Sequence, residues 1–149
     1  MNIKLKVIAT FCVLLFLFNV HAKSELTCGE ASSIKKTNKQ FRGKKVDVFT
    51  CVNNEGNING EKHIYYKNIL INKCYYINNI LNGKCSSWYF NGKKYYTINY
   101  INGNANGESV MWYRNGTLQM KLYYNMFKPV GKWKTWNKKG ELIRTWDRE

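Results

Sequence analysis

The sequence predicts an all-β protein, an elongated single antiparallel sheet of tandem β-hairpins in meander order, and three observations carry that expectation. Glycines recur at Gly60, Gly83, Gly107 and Gly131, at spacings of 23, 24 and 24 residues. A large aromatic follows each by five positions, as Tyr65, Trp88, Trp112 and Trp136, and a second glycine follows three of them by nine, as Gly92, Gly116 and Gly140. After these marks apolar and polar residues alternate, with the period of two that a half-buried strand requires.

The alternation is clearest in the second and third units. Lys94, Tyr96, Ile98 and Tyr100 share one strand face, as do Leu118, Met120, Leu122 and Tyr124, while Thr97, Asn99, Gln119 and Lys121 fall on the other. Asn91-Gly92 and Asn115-Gly116 are expected to be type I′ turns, since both central residues of that turn need positive φ. Asn59-Gly60, Asn82-Gly83 and Asn106-Gly107 are expected to be the opposite bends. The first unit is degenerate, with Ile69 where the second glycine should stand. One period further back, Lys36 replaces the glycine, Phe41 and Cys51 keep the register, and Val46 to Val52 reads as a strand. A divergent terminal unit is what a capping repeat looks like. Pro129, the single proline, suits a bend before the last unit. Neither residues 25–36 nor the C-terminus carries a helical apolar stripe.

Residues 1–22 read as a signal peptide: Lys4 and Lys6 precede the apolar run Val7 to Phe18, and Val20 and Ala22 are the small residues before a cut. The run is too short for a membrane span. Export to a periplasm or out of the cell is expected, with residues 23–58 forming a lead-in and degenerate cap and residues 59–149 forming four repeats. Loss of Lys4 and Lys6 lowers the net charge from +15 to +13. Such a surplus attracts anionic surfaces, although a composition rich in Asn, Lys and Ile raises the charge by itself.

Four cysteines lie beyond the leader, and an even number in an exported chain favours disulfides. Cys74 and Cys85 flank a bend near Asn79 and Ile80, which pairs them across a hairpin and leaves Cys28 for Cys51. Cys51 with Cys74, at nearly equivalent offsets in adjacent units, is the competing pairing. There is no Cys-x-x-Cys and one histidine, His63, beyond the leader, so neither metal nor cofactor is expected.

Chemistry-bearing residues are sparse. Ser87, His63 and Asp47 can be named as a catalytic set, and Glu55, Glu61 and Glu108 as candidate paired carboxylates, but no local signature positions either group. A non-enzyme is expected, with His63 an ordinary half-exposed strand residue. The five tryptophans and many tyrosines are expected to stack between hairpins in place of an aliphatic core. The candidate binding patch is Lys132, Trp133, Lys134, Lys138 and Lys139, where cations interleave with aromatics near Lys128 and Trp136. Asn115-Gly116-Thr117 matches a glycosylation sequon, but it coincides with a repeat turn, which explains it fully.

The stretch Gly107 to Tyr124 (GESVMWYRNGTLQMKLYY) and the shorter Gly131 to Trp146 (GKWKTWNKKGELIRTW) resemble the MORN-repeat variant of bacterial proteins often labelled antitoxin components. The resemblance spans about Asn59 to Trp146. It implies stacked hairpins, binding to proteins or lipids, and no catalytic residues. The export signal departs from an intracellular antitoxin and points to an envelope or secreted role. A protein partner is the first expectation, anionic lipid or envelope polymer the second, toxin neutralisation or weak hydrolysis more remote, and nucleic acid the last. The chain is expected as a monomer or an edge-paired dimer.

Overall fold

The computed structural model describes residues 26, 28–29 and 32–148; the signal peptide assigned to residues 1–22 lies outside them. Eleven strands follow one another as a meander: β1 (Ser33–Phe41), β2 (Lys44–Val52), β3 (Ile58–Tyr66), β4 (Ile69–Ile77), β5 (Ile80–Trp88), β6 (Lys94–Ile101), β7 (Asn104–Ala105), β8 (Gly107–Trp112), β9 (Leu118–Asn125), β10 (Lys128–Trp136) and β11 (Leu142–Arg148). All belong to one antiparallel sheet with β1 and β11 at its edges, and β7 and β8 act as a single broken strand against β6. Strand β1 begins at Ser33 and β11 fills the C-terminus, so the lead-in is shorter than its lack of period suggested.

From β4 onward the two ends of the sheet use different turns. At one end Asn78-Asn79, Asn102-Gly103 and Met126-Phe127 have positive φ at both positions, the signature of two-residue type I′ hairpins. At the other end Tyr89 to Lys93, Tyr113 to Thr117 and Asn137 to Glu141 are longer loops. In each, the glycine N–H donates back to the first loop residue's carbonyl, and only the glycine has positive φ (80°, 98° and 90°). Asn91-Gly92 and Asn115-Gly116 are therefore turns but not of the type I′ expected. Asn91 and Asn115 keep negative φ and instead accept the N–H of Lys93 and Thr117 on their side-chain oxygens. The degenerate first unit is explained here: it closes with a tight Lys67-Asn68 turn, which needs no glycine loop.

The framework glycines correct the sequence reading more sharply. Gly60, Gly83 and Gly131 lie inside strands and Gly107 begins one; none is a bend. Each has positive φ (108°, 104°, 65° and 83°) and sits where the register slips. Thr50 faces Lys62 while Val52 faces Ile58, and Cys74 faces Cys85 while Tyr76 faces Leu81, so extra residues around Gly60 and Gly83 are squeezed opposite one. These are glycine bulges, which add twist and bend the strand. Two register slips per repeat, one at the glycine and one beside the framework aromatic, coil the sheet.

The sheet thus has an inner and an outer face. On the inner face Val46, Val48 and Ile71 are buried, and Phe90 reaches across from the β5–β6 loop to pack on them. A second inner cluster joins Cys74, Cys85, Ile98 and Ala105 with Tyr76, Tyr96, Tyr100 and Tyr124. The core is thus aliphatic and tyrosine-rich, and Trp88, Trp112 and Trp136 stand half-buried beside the loops rather than stacked at its centre. Pro129 occupies the second position of β10, where it faces Tyr124, and pairing with β11 begins only at Gly131, so its missing N–H breaks no ladder bond.

Both disulfides of the leading sequence assignment form. Cys74 and Cys85 are direct cross-strand partners on the inner face, and Cys28 is bonded to the fully buried Cys51 on the outer face. The competing Cys51 to Cys74 pair is excluded because the two sulfurs stand on opposite faces.

Candidate binding surface

Strand alternation divides the proposed C-terminal patch. Trp133 points inward and contacts Tyr124 and Trp146, at ring-centroid distances of 6.4 and 5.6 Å. Lys132 and Lys134 take the opposite face, Lys134 standing across from Lys121 and Thr145. Lys138 and Lys139 belong to the β10–β11 loop, where the Lys138 carbonyl accepts from Asn115 and Thr117. The five residues therefore do not converge on one ligand.

The catalytic set named from sequence is also dispersed. Ser87 is on the inner face, hydrogen-bonded by Asn72, whereas His63 is on the outer face and Asp47 stands 3.9 Å from Lys36. His63 is not half-exposed as expected but 0% exposed. Its Nε2 lies 2.9 Å from a Glu61 carboxylate oxygen and its Nδ1 lies 3.3 Å from the Tyr65 hydroxyl. Lys73, directly opposite His63 on β4, holds the other Glu61 oxygen at 2.6 Å. Burial pushes the imidazole below its ordinary value, against the pull of Glu61 and with the repulsion of Lys73. A buried polar network of this kind, on the same face as Cys51, braces β3 against β4. Glu55 and Glu108 are not part of it: Glu55, in the β2–β3 loop, accepts from Asn57, and Glu108 is paired with Lys121 at 2.6 Å.

A different concavity gathers aromatic and cationic groups. At the glycine-loop end, the coil of the sheet brings the β1–β2 turn against the β5–β6 and β8–β9 loops, enclosing a cavity of about 180 Å³. Its aromatic wall is Trp88, Tyr89, Phe90 and Tyr95, with Tyr89 and Tyr95 ring centroids 4.8 Å apart. Arg42 and Arg114 stand at its rim, and among the described residues no acid lines it. The Arg114 guanidinium lies 5.8 Å from the centroid of Tyr89, and that of Arg42 lies 5.4 Å from Phe41. Lys44 adds a third cation, over Phe90 at 5.5 Å. Neither arginine makes an ion pair among the described residues.

The basin is rigidly built. The Tyr89 hydroxyl donates to the Trp112 carbonyl at 2.8 Å, the Asn91 amide reaches the Arg114 carbonyl at 3.5 Å, and Lys93 Nζ reaches the Asn115 carbonyl at 2.8 Å. Loop stacking of this kind holds the side chains on a fixed platform. The sequence signal for the basin was the aromatic run Trp88 to Phe90, but nothing in the repeat spacing placed Arg42 beside it.

At the opposite, tight-turn end apolar side chains protrude. Ile77 and Ile80 face one another across their turn, with Ile101, Met126 and Phe127 on neighbouring turns, Phe127 being 56% exposed. Among the described residues no helix is long and apolar enough to cross a membrane, and no cluster of three or more metal-ligating side chains occurs. No family model, no curated protein and no solved structure matches the chain.

Proposed function

We propose that the protein is a non-catalytic, exported repeat scaffold of the MORN-variant kind that binds a partner protein through its aromatic and basic surface, with the loop-end basin as the anchor. The observation that carries this reading is the pair Arg42 and Arg114 at the rim of an aromatic cavity with no acid among the described residues of its lining. Arginines beside rings in a concave site are the composition of binding hot spots, and a carboxylate entering there gains bidentate hydrogen bonds. The partner is accordingly an acidic protein surface. Two disulfides and a net charge of +15 for the whole chain suit an oxidising compartment and an anionic target. To test it, Tyr95 is replaced by a photo-crosslinking phenylalanine and the protein is exposed to its native envelope or secreted fraction. Capture there, with no capture from a probe at Thr145 on the outer face, supports the reading; equal capture at both positions contradicts it.

A second reading has its own observation. The exposed Ile77, Ile80, Ile101, Met126 and Phe127, with Lys128 next in the chain after Phe127, form an apolar tip with a cationic flank, which suits adsorption to an anionic lipid surface. Vesicle sedimentation decides it: Phe127→Ser weakens binding if the tips insert, and binding unaffected by either this change or added salt rules it out.

A further inference from the structure

A second concavity shares no lining residue with the basin and lies further along the same inner face, beside the edge strand β1. It is a trough of about 200 Å³ formed by the first three strands. Register explains its chemistry. Thr50 of β2 stands opposite Lys35 of β1 on one side and Lys62 of β3 on the other, while Thr37 faces Val48 and Lys39 faces Val46. Side chains directly opposite on one sheet face are neighbours, with Cβ atoms about 4.5–5.5 Å apart. Three ammonium groups and two hydroxyls therefore surround a floor of Val48, Val52 and Ile58, and among the described residues no acid lines the trough.

Like charges collected in this way repel one another. Lys35, Lys39 and Lys62 make no ion pair among the described residues. Lys36, the β1 lysine that does have an acid, is on the opposite face near Asp47. The Lys62 Nζ lies 5.8 Å from the centroid of the Tyr76 ring. Burial, and then the charge of Lys39, hold this ammonium below the usual lysine range. A bound anion would relieve both penalties.

We propose that this trough is a site for a tetrahedral dianion, a phosphate or sulfate group, held by Lys35, Lys39 and Lys62 and hydrogen-bonded by the Thr37 and Thr50 hydroxyls. Three cations match a doubly charged group with several acceptor oxygens better than a single carboxylate, which one or two donors satisfy. The site is independent of the loop-end basin and of the partner proposed for it.

The test uses the oxidised full chain. Inorganic phosphate and inorganic sulfate are titrated separately at constant ionic strength, made up with sodium chloride, while the amide resonances of Thr50 and Lys62 are followed by NMR. Saturable shifts are expected, with a dissociation constant of about 1 mM or tighter. Saturation by phosphate alone assigns the site to phosphate groups, by sulfate alone to sulfate groups, and by both to either. Lys62→Met keeps the apolar stem, removes the strained charge and leaves thermal stability equal or higher; it weakens binding about tenfold or more, and Lys39→Met weakens it as well. Shifts that chloride reproduces, or undiminished binding by folded Lys62→Met, overturn the proposal.

Discussion

The Tyr89 hydroxyl donates a 2.8 Å hydrogen bond to the backbone carbonyl of Trp112, and Tyr113 repeats the bond to Trp136 at 3.0 Å, each reaching 23 residues along the chain. These bonds join one repeat's glycine loop to the next, where a single-layer sheet has little core to hold it. Tyr89→Phe and Tyr113→Phe should each cost about 1 kcal/mol and should add, because the two bonds share no partner. Urea denaturation of the single and double variants measures this; a double variant no less stable than wild type would show that the loops are held by other contacts.

The bulge glycines carry a second expectation. A Cβ on Gly83 would meet Tyr75 Cβ at 3.6 Å, an ordinary contact, and one on Gly107 would meet nothing within 4 Å. Alanine at either position should nonetheless destabilise by about 1–2 kcal/mol, because φ of 104° and 83° is what the side chain resists. Thermal unfolding of Gly107→Ala checks the point, since no steric clash can account for a loss there. A melting temperature equal to wild type would mean the bulge relaxes.

The disulfides act on different scales. Cys28–Cys51 closes a separation of 23 residues and ties the lead-in over the outer face, whereas Cys74–Cys85 closes 11 residues already paired as a hairpin. Removing the first with paired serines should cost about 3 kcal/mol and removing the second somewhat less. Denaturant midpoints of the two double variants give the order, and the reverse order would contradict the account.

His63 gives the fold a pH dependence whose sign follows from its burial. Its folded-state value is lower than its ordinary value of 6.5, so the unfolded chain takes up the proton more readily and protonation favours unfolding. Stability is complete above about pH 6.5, falls as pH drops below it, and levels off once pH passes the folded value. Glu108 is held below its ordinary 4.5, first by Lys121, and enters only at more acidic pH. The urea midpoint should therefore be lower at about pH 5.5 than at about pH 7.5, and His63→Asn should be less stable overall but flat across that interval. Equal midpoints in wild type would place the imidazole in contact with water.

Much of this architecture was legible because hairpin repeats write themselves as period two within a period of about 24. Tyr96, Ile98 and Tyr100, aligned by alternation alone, do share the inner cluster. The framework glycines stand out in the sequence but their role does not, since positive φ is demanded equally by a turn and by a bulge, and Asn82-Gly83 reads as either. The true bends, Asn78-Asn79 and Met126-Phe127, carry weaker local signals. For the surface, a linear cluster such as Lys132 to Lys134 looked like one patch until alternation sent Trp133 to the other face. Arg42 and Arg114 were invisible as a pair because only the coil of the sheet, built up from successive bulges, brings their turns together.

The most direct measurement is the affinity of the captured partner for wild type and for the double variant Arg42→Asn/Arg114→Gln, by calorimetry on oxidised protein. Asparagine tolerates the positive φ of 49° at position 42, and Arg114 is an exposed loop residue, so the fold should survive both changes. The account predicts at least about a tenfold loss of affinity with an unchanged melting temperature. Affinity equal to wild type would contradict it and move the binding site away from the loop-end basin.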